Sequence, residues 1–104
     1  MSFIVDGLTK TPEGKTDARR IGTYLTHDEA VAAAQHVIDV FLFHEFIQGA
    51  GHGLTAEKLL VQYRRGGEVP LILRDGGGST NVSSFNPVRY AAKRCAELFH
   101  AEKV

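Results

Sequence analysis

Three histidines lie on or beside one apolar stretch of the sequence, VFLFHEFIQGAGHG, from Val40 to Gly53. Imidazoles bind metal ions and act as general bases near neutral pH. His36 and His44 are eight residues apart, so a helix would place them within about 80° of each other around its axis. His52 follows beyond a glycine. Together with a nearby carboxylate, these side chains have the chemistry of a zinc site or of a small-ligand site.

The spacing of the histidines differs from the helical zinc motif, which is H-E-x-x-H. His44 and Glu45 begin that pattern, but Gln48 occupies the position of the second histidine. We therefore predict no metal ion and no cofactor. His36, His44 and His52 remain candidates for a small-ligand or metal-binding site, and one of them could be the general base of a small enzyme. No partner residue can be named for such a base, so no catalytic residue is predicted.

Two further features could carry chemistry. The stretch from Asp75 to Thr80, DGGGST, follows a predicted strand and precedes a predicted helix, which is where phosphate-binding loops occur. The lysine of a Walker loop is missing, so we predict a plain loop and leave the role of Gly76–Gly78 open. Cys95 lies on the apolar stripe of a predicted helix, where a thiol is expected to be buried and unreactive.

Composition limits the classes of protein that the chain can belong to. Its 104 residues suffice for one domain, and 43% of them are hydrophobic, as in globular proteins. The 12 basic and 12 acidic residues cancel, so we expect no nucleic-acid partner. The apolar runs are far shorter than the roughly 20 residues of a membrane span, and the N-terminal residues do not resemble a signal peptide. We therefore expect a cytoplasmic protein without a membrane partner.

The periodicity of apolar residues predicts three strands and three helices. Strands are expected over residues 3–8, 19–25 and 69–73, because these segments are apolar or alternate between apolar and polar residues. Thr26 with Glu29 forms a capping-box pattern that begins a long helix ending near Gly49. Thr55 caps a shorter helix, and Asn86 with Pro87 begins the last one. The order ββααβα predicts an α+β fold, a two-layer sandwich in which helices cover one face of a small, mainly antiparallel sheet.

Several short motifs of the chain resemble those of a known group of proteins. They are Gly53–Leu60 (GLTAEKLL), Gln62-Tyr63, Gly67–Ile72 (GEVPLI), Tyr90-Ala91 and Arg94-Cys95. Their order resembles a group of small bacterial and phage α+β proteins with the pattern GMTAEELYEQY…FGEDPFI…FSAWDYAKERC. That group has no assigned activity, so the resemblance implies a fold and supplies no catalytic or binding residues.

The first helix carries more apolar surface than one small sheet can cover. Phe41, Phe43, Phe46 and Ile47 would point in several directions around it, and an uncovered apolar patch usually marks an interface. We therefore predict a protein-interaction module that binds another protein or self-associates as a homodimer through these four residues. Coverage of the whole patch by the last helix is the alternative.

Overall fold

Strand β1 is the centre of a three-stranded sheet in which both neighbouring strands run antiparallel to it, in the order β2-β1-β3. The computed structural model describes residues 2–49, 51–74 and 85–102. The predicted α+β class and the order ββααβα are confirmed. The elements are β1 (Phe3–Lys10), β2 (Thr16–Tyr24), α1 (His27–Gly49), α2 (Ala56–Gly66), β3 (Val69–Arg74) and α3 (Pro87–Glu102). The predicted glycine-rich loop, Asp75–Ser84 with Gly76–Gly78, lies outside the described residues.

The β1–β2 hairpin contains a bulge that changes which side chains face the helices. Val5 pairs with Gly22 and Asp6 pairs with Arg20, so Ile21 is an extra residue of β2. The alternation that the sequence predicts for residues 19–25 would place Ile21 and Leu25 on one face of the strand and Tyr24 on the other. That prediction is wrong: Ile21 and Tyr24 both pack against the core under α1, and Leu25 is 79% exposed.

Local hydrogen bonds fix where each helix begins, as the sequence predicts. The Glu29 amide donates to Thr26 Oγ1 at 3.1 Å, and the Thr26 hydroxyl donates to the Glu29 carboxylate at 3.0 Å. The Lys58 amide donates to Thr55 Oγ1, and the Arg89 amide donates to Asn86 Oδ1. Each cap satisfies an amide that has no partner inside its helix.

Helix α1 links two parts of the core. Its fully buried residues recur every four positions, so that they form one ridge, and they are Ala30, Ala34, Ile38 and Leu42. The two alanines pack over the sheet against Val5 and Ile72. The two larger residues pack among the helices with Leu59, Tyr63, Ala91 and Cys95. α1 therefore buries small residues where it crosses the sheet and large residues where it meets α2 and α3. The side chains on the opposite side of α1 face outward.

An ion pair joins β2 to the residue that precedes β3, across the central strand β1. Arg19 of β2 donates from Nε and Nη2 to the two Glu68 oxygens, at 2.6 and 2.7 Å. This hydrogen bond and the charge of Glu68 raise the pKa of Arg19. The Glu68 carboxylate lies where a β-carbon on Gly7 would stand, so the pair depends on glycine in the central strand.

Candidate interaction surface on helix α1

Three apolar side chains of α1 are exposed on the side opposite its buried ridge. Val40 is 56% exposed, Phe43 43% and Ile47 74%. At 100° per residue they fall within about 60° of one another around the helix. We call Val40, Phe43 and Ile47 the outer stripe. Scattered exposed hydrophobic residues are ordinary, but three on one helical ridge form a continuous apolar surface.

The four residues predicted to form an interface divide into two pairs. Phe43 and Ile47 point outward as part of the outer stripe. Phe41 and Phe46 are partly buried against the helical core. The Phe41 ring meets Tyr63 edge-on at 5.7 Å between centroids, and the Phe46 ring meets Phe99 at 5.1 Å. Helices α2 and α3 therefore pack against two of the four residues that the sequence predicts at an interface.

The outer stripe continues toward the N-terminus with the spacing of a coiled-coil seam. Counting back from Ile47, the residues on this line are Phe43, Val40, His36 and Ala33, and the steps alternate between four and three. The sequence analysis did not identify this line, because it considered runs of consecutive apolar residues. Phe41, Leu42 and Phe46 lie between the members of the line in such a run. A search for alternating steps of three and four would have found it.

A shallow groove lies beside the N-terminal half of this line. It has a volume of about 440 Å³, its lining is mainly apolar, and it runs between α1 and β2. Ala32, Ala33 and Val37 form its helical wall, and Ile21 and Tyr24 form its strand wall. The groove exists because alanines leave space on the helix and because the bulge in β2 turns both Ile21 and Tyr24 toward it.

A polar cluster joins α1 to α3 on the flank of the outer stripe. The Tyr90 hydroxyl donates to the Asp39 carboxylate at 3.0 Å, and Arg94 Nε donates to Asp39 Oδ1 at 3.0 Å. Burial and the hydrogen bond to Asp39 raise the pKa of Tyr90 to about 12. Burial tends to lower the pKa of Arg94, but the hydrogen bond and charge of Asp39 raise it overall. The pattern of apolar residues in α1 would place Asp39 on a solvated face, whereas these contacts place it against α3.

The guanidinium of Arg94 also reaches the outer stripe. Its Cζ lies 5.5 Å from the centroid of the Phe43 ring, and its Nη1 lies 3.7 Å from Glu97. A cation over the face of an aromatic ring is attracted to it. This contact covers one side of Phe43 and fixes the direction in which the ring is presented.

The three candidate histidines do not form a common site. His36 is exposed at the rim of the groove. His44 is exposed too, within 3.2 Å of the Gln48 amide and 3.9 Å from Glu45. His52 lies in the turn after α1, where its amide donates to the Gly49 carbonyl at 3.0 Å. Within the described part of the chain, no three His, Cys, Asp or Glu side chains gather closely enough to hold a metal ion.

Cys95 lies in the helical core and is 1% exposed. Burial raises the pKa of its thiol to about 11, so that the reactive thiolate is scarce at neutral pH.

Helix α1 is also long and apolar enough, by length and composition alone, to cross a membrane. A core helix of a soluble protein passes the same test. Here the helix packs on a sheet and two other helices, and its flank carries the charged cluster around Asp39.

Comparison with known proteins adds no relative: no protein-family model, curated protein or solved structure matches this chain.

Proposed function

We propose that the protein is a self-associating interaction module, in which the outer stripe of α1 packs against the same surface of a second copy. The observation that supports this proposal is the apolar ridge of Val40, Phe43 and Ile47, exposed at coiled-coil spacing beside a groove lined by alanines. A two-fold axis presents the same patch from both copies, so the patch must be complementary to itself.

An antiparallel arrangement of the two α1 helices makes the surface self-complementary. When the two-fold axis passes beside Val40, a residue that follows Val40 in one copy faces the residue that precedes Val40 by the same number of positions in the other copy. Ile47 then faces Ala33, at the groove, and Phe43 faces Val37. Phe43 and Ile47 lie in the C-terminal half of the line, and Ala33 lies beside the groove in its N-terminal half, so Ile47 of one copy meets a space on the other. Antiparallel helices also place opposite ends of their dipoles together.

The size of this surface predicts a weak dimer. A helix of 23 residues is about 34 Å long and, with side chains, about 10 Å wide. Two such strips bury about 700 Å², below the roughly 1,200 Å² of a standard stable interface. Burying each stripe residue contributes on the order of 1–2 kcal/mol, or about 6–12 kcal/mol for six of them, against an association cost of about 4–15 kcal/mol. We therefore expect dissociation constants of micromolar or weaker.

Sedimentation equilibrium between 5 and 500 µM tests the proposal. The wild-type mass should rise above that of the 11.4 kDa monomer as concentration increases. Phe43→Glu and Ile47→Glu place charges in the seam, and each should weaken the association at least tenfold. Val61→Glu is the matched control, because Val61 is 47% exposed on α2, and it should leave association unchanged.

Three results would contradict the proposal. The first is a wild-type mass that stays at the monomer value throughout the range. The second is an oligomer that persists unchanged in both glutamate variants. The third is binding of the monomer to phosphatidylcholine vesicles that Ile47→Glu abolishes, since the outer stripe would then face lipid.

A further inference from the structure

The face of the sheet that points away from α1 is unusually apolar for an open face. Val5 and Ile72 face the helix, so their neighbours in β1 and β3 point to the other side. Those neighbours are aliphatic at five positions, namely Ile4, Leu8, Val69, Leu71 and Leu73. An antiparallel sheet with one face in water normally alternates between apolar and polar residues. β3, with sequence VPLILR, is instead apolar on both faces.

The described part of the chain covers these five side chains incompletely, and two of them, Leu8 and Val69, line a groove with Arg64 and Arg65. All five are only partly buried, and neither of the two core clusters contains them. We call Ile4, Leu8, Val69, Leu71 and Leu73 the sheet patch.

One ion pair lies among these aliphatic residues and indicates what can cover them. Asp6 of β1 is paired with Arg20 of β2, and the Arg20 Nε donates to Asp6 Oδ1 at 2.8 Å. The Asp6 side chain is 19% exposed and that of Arg20 58%. The two charges satisfy each other within the protomer, so a partner that covers this face must either leave the pair intact or offer an opposite charge to each member, because a charge buried without a partner is costly.

We propose that the sheet patch binds the sheet patch of a second copy, face to face. A two-fold axis near the Asp6–Arg20 pair brings Asp6 of each copy toward Arg20 of the other, so four charges of alternating sign meet at the centre. The aliphatic residues then pack around them, about 10 Å separating the two sheets. The charge arrangement makes the same chain the complementary partner.

This interface does not depend on the one on α1, and the two together allow a larger assembly than either one alone. The sheet patch and the outer stripe are on different faces of the protomer, so one copy can use both at once. Two self-complementary faces allow growth beyond a dimer, whereas one face allows a dimer only. The sheet patch extends about 14 Å along β1, from Ile4 to Leu8, and about 10 Å across the two strands β1 and β3. An interface of that area predicts weak association, which is detectable at protein concentrations of hundreds of micromolar.

Charge exchange in a Phe43→Glu background tests the proposal with the outer stripe disabled. The average mass of the Phe43→Glu protein should still rise above the 11.4 kDa of the monomer, toward the 23 kDa of a dimer, as its concentration approaches 500 µM. Adding Asp6→Arg, or adding Arg20→Asp, gives four like charges at the centre and should weaken association at least tenfold. An equimolar mixture of the two double variants pairs opposite charges and should restore the 23 kDa species.

Asp17→Arg is the matched control. It makes the same charge change as Asp6→Arg in the same hairpin, but its partner in the register is Thr9, so it lies on the helix side. Circular dichroism of each variant verifies the fold, and the mixture experiment requires only that both variants fold.

Each result decides between the two interfaces. A Phe43→Glu protein that stays monomeric at 1 mM, a mixture that remains at 11.4 kDa, or a dimer unaffected by either exchange would overturn the sheet proposal. If the wild type exceeds a dimer and either Phe43→Glu or Asp6→Arg alone arrests it at a dimer, both interfaces are supported. If Phe43→Glu changes nothing while charge exchange acts as described, the outer-stripe proposal fails and the sheet proposal remains.

Discussion

Replacing Asp39 with alanine should destabilise the protein strongly for a substitution at a partly exposed position. The carboxylate accepts hydrogen bonds from Tyr90 and Arg94, and these bonds join α1 to α3. A hydrogen bond to a charged group contributes about 1.5–3 kcal/mol. Because the Asp39 side chain is 26% exposed, we discount the two bonds to a total of about 2–3 kcal/mol. For a domain of this length, that loss lowers the Tm by about 10–20 °C.

Urea unfolding followed by circular dichroism measures this loss, with protein at about 2 µM so that association does not contribute. Tyr90→Phe and Arg94→Met should each cost about 1 kcal/mol, since each removes one bond and leaves the other. A double-mutant cycle between Asp39 and Arg94 should give a coupling energy of about 1 kcal/mol. A loss below about 0.5 kcal/mol for Asp39→Ala, or a coupling near zero, would refute the view that this cluster holds the two helices together.

Three other predictions follow from groups described above. In the folded protein the pKa of Tyr90 is raised from 10.0 to about 12, so the contribution of Tyr90 to stability is present below pH 10 and is lost as the pH rises from 10 to 12. Between pH 9 and 11, Tyr90→Phe should therefore lose less stability than the wild type does. Equal losses in the two proteins would contradict this. Cys95 should react with an aromatic disulfide reagent at pH 8 at least tenfold more slowly in the folded protein than in urea, because it is 1% exposed and its pKa is about 11; equal rates would show that the core is open. Gly7→Ala should cost up to about 1 kcal/mol in urea unfolding, since its β-carbon displaces the Glu68 carboxylate from Arg19, whose side chain is 63% exposed. Gly66→Ala, where a β-carbon meets nothing, should cost less, and an equal cost for the two would contradict this.

Short-range patterns in the sequence were sufficient to predict the helices and strands of the fold. Thr26, Thr55 and Asn86 are capping residues whose effect depends on amides three positions away, so the starts of the helices could be predicted. The strands followed from runs of apolar residues between polar turns. These interactions act over a few residues, which is why one sequence reveals them.

Contacts between distant residues could not be predicted in the same way. Asp39 is 51 residues from Tyr90 and 55 from Arg94, and no local pattern distinguishes a paired aspartate from a solvated one. The division of the phenylalanines had the same cause, because Phe46 packs against Phe99, whereas Phe43 lies beside the Arg94 guanidinium and remains 43% exposed. An apolar residue on a helix shows which side it occupies, but its burial depends on what else packs there.

The single extra residue in β2 has a consequence for how this surface can change over time. Ile21 contributes to the groove as the extra residue of the strand, whereas Tyr24 lies opposite Phe3, on the face that Val5 shares. Removing Ile21 would leave the pairs Val5–Gly22 and Phe3–Tyr24 unchanged, because β2 would then pair with β1 without a bulge. Loss of one codon would therefore remove the isoleucine from the wall of the groove while Tyr24 and every side chain of α1 kept their places.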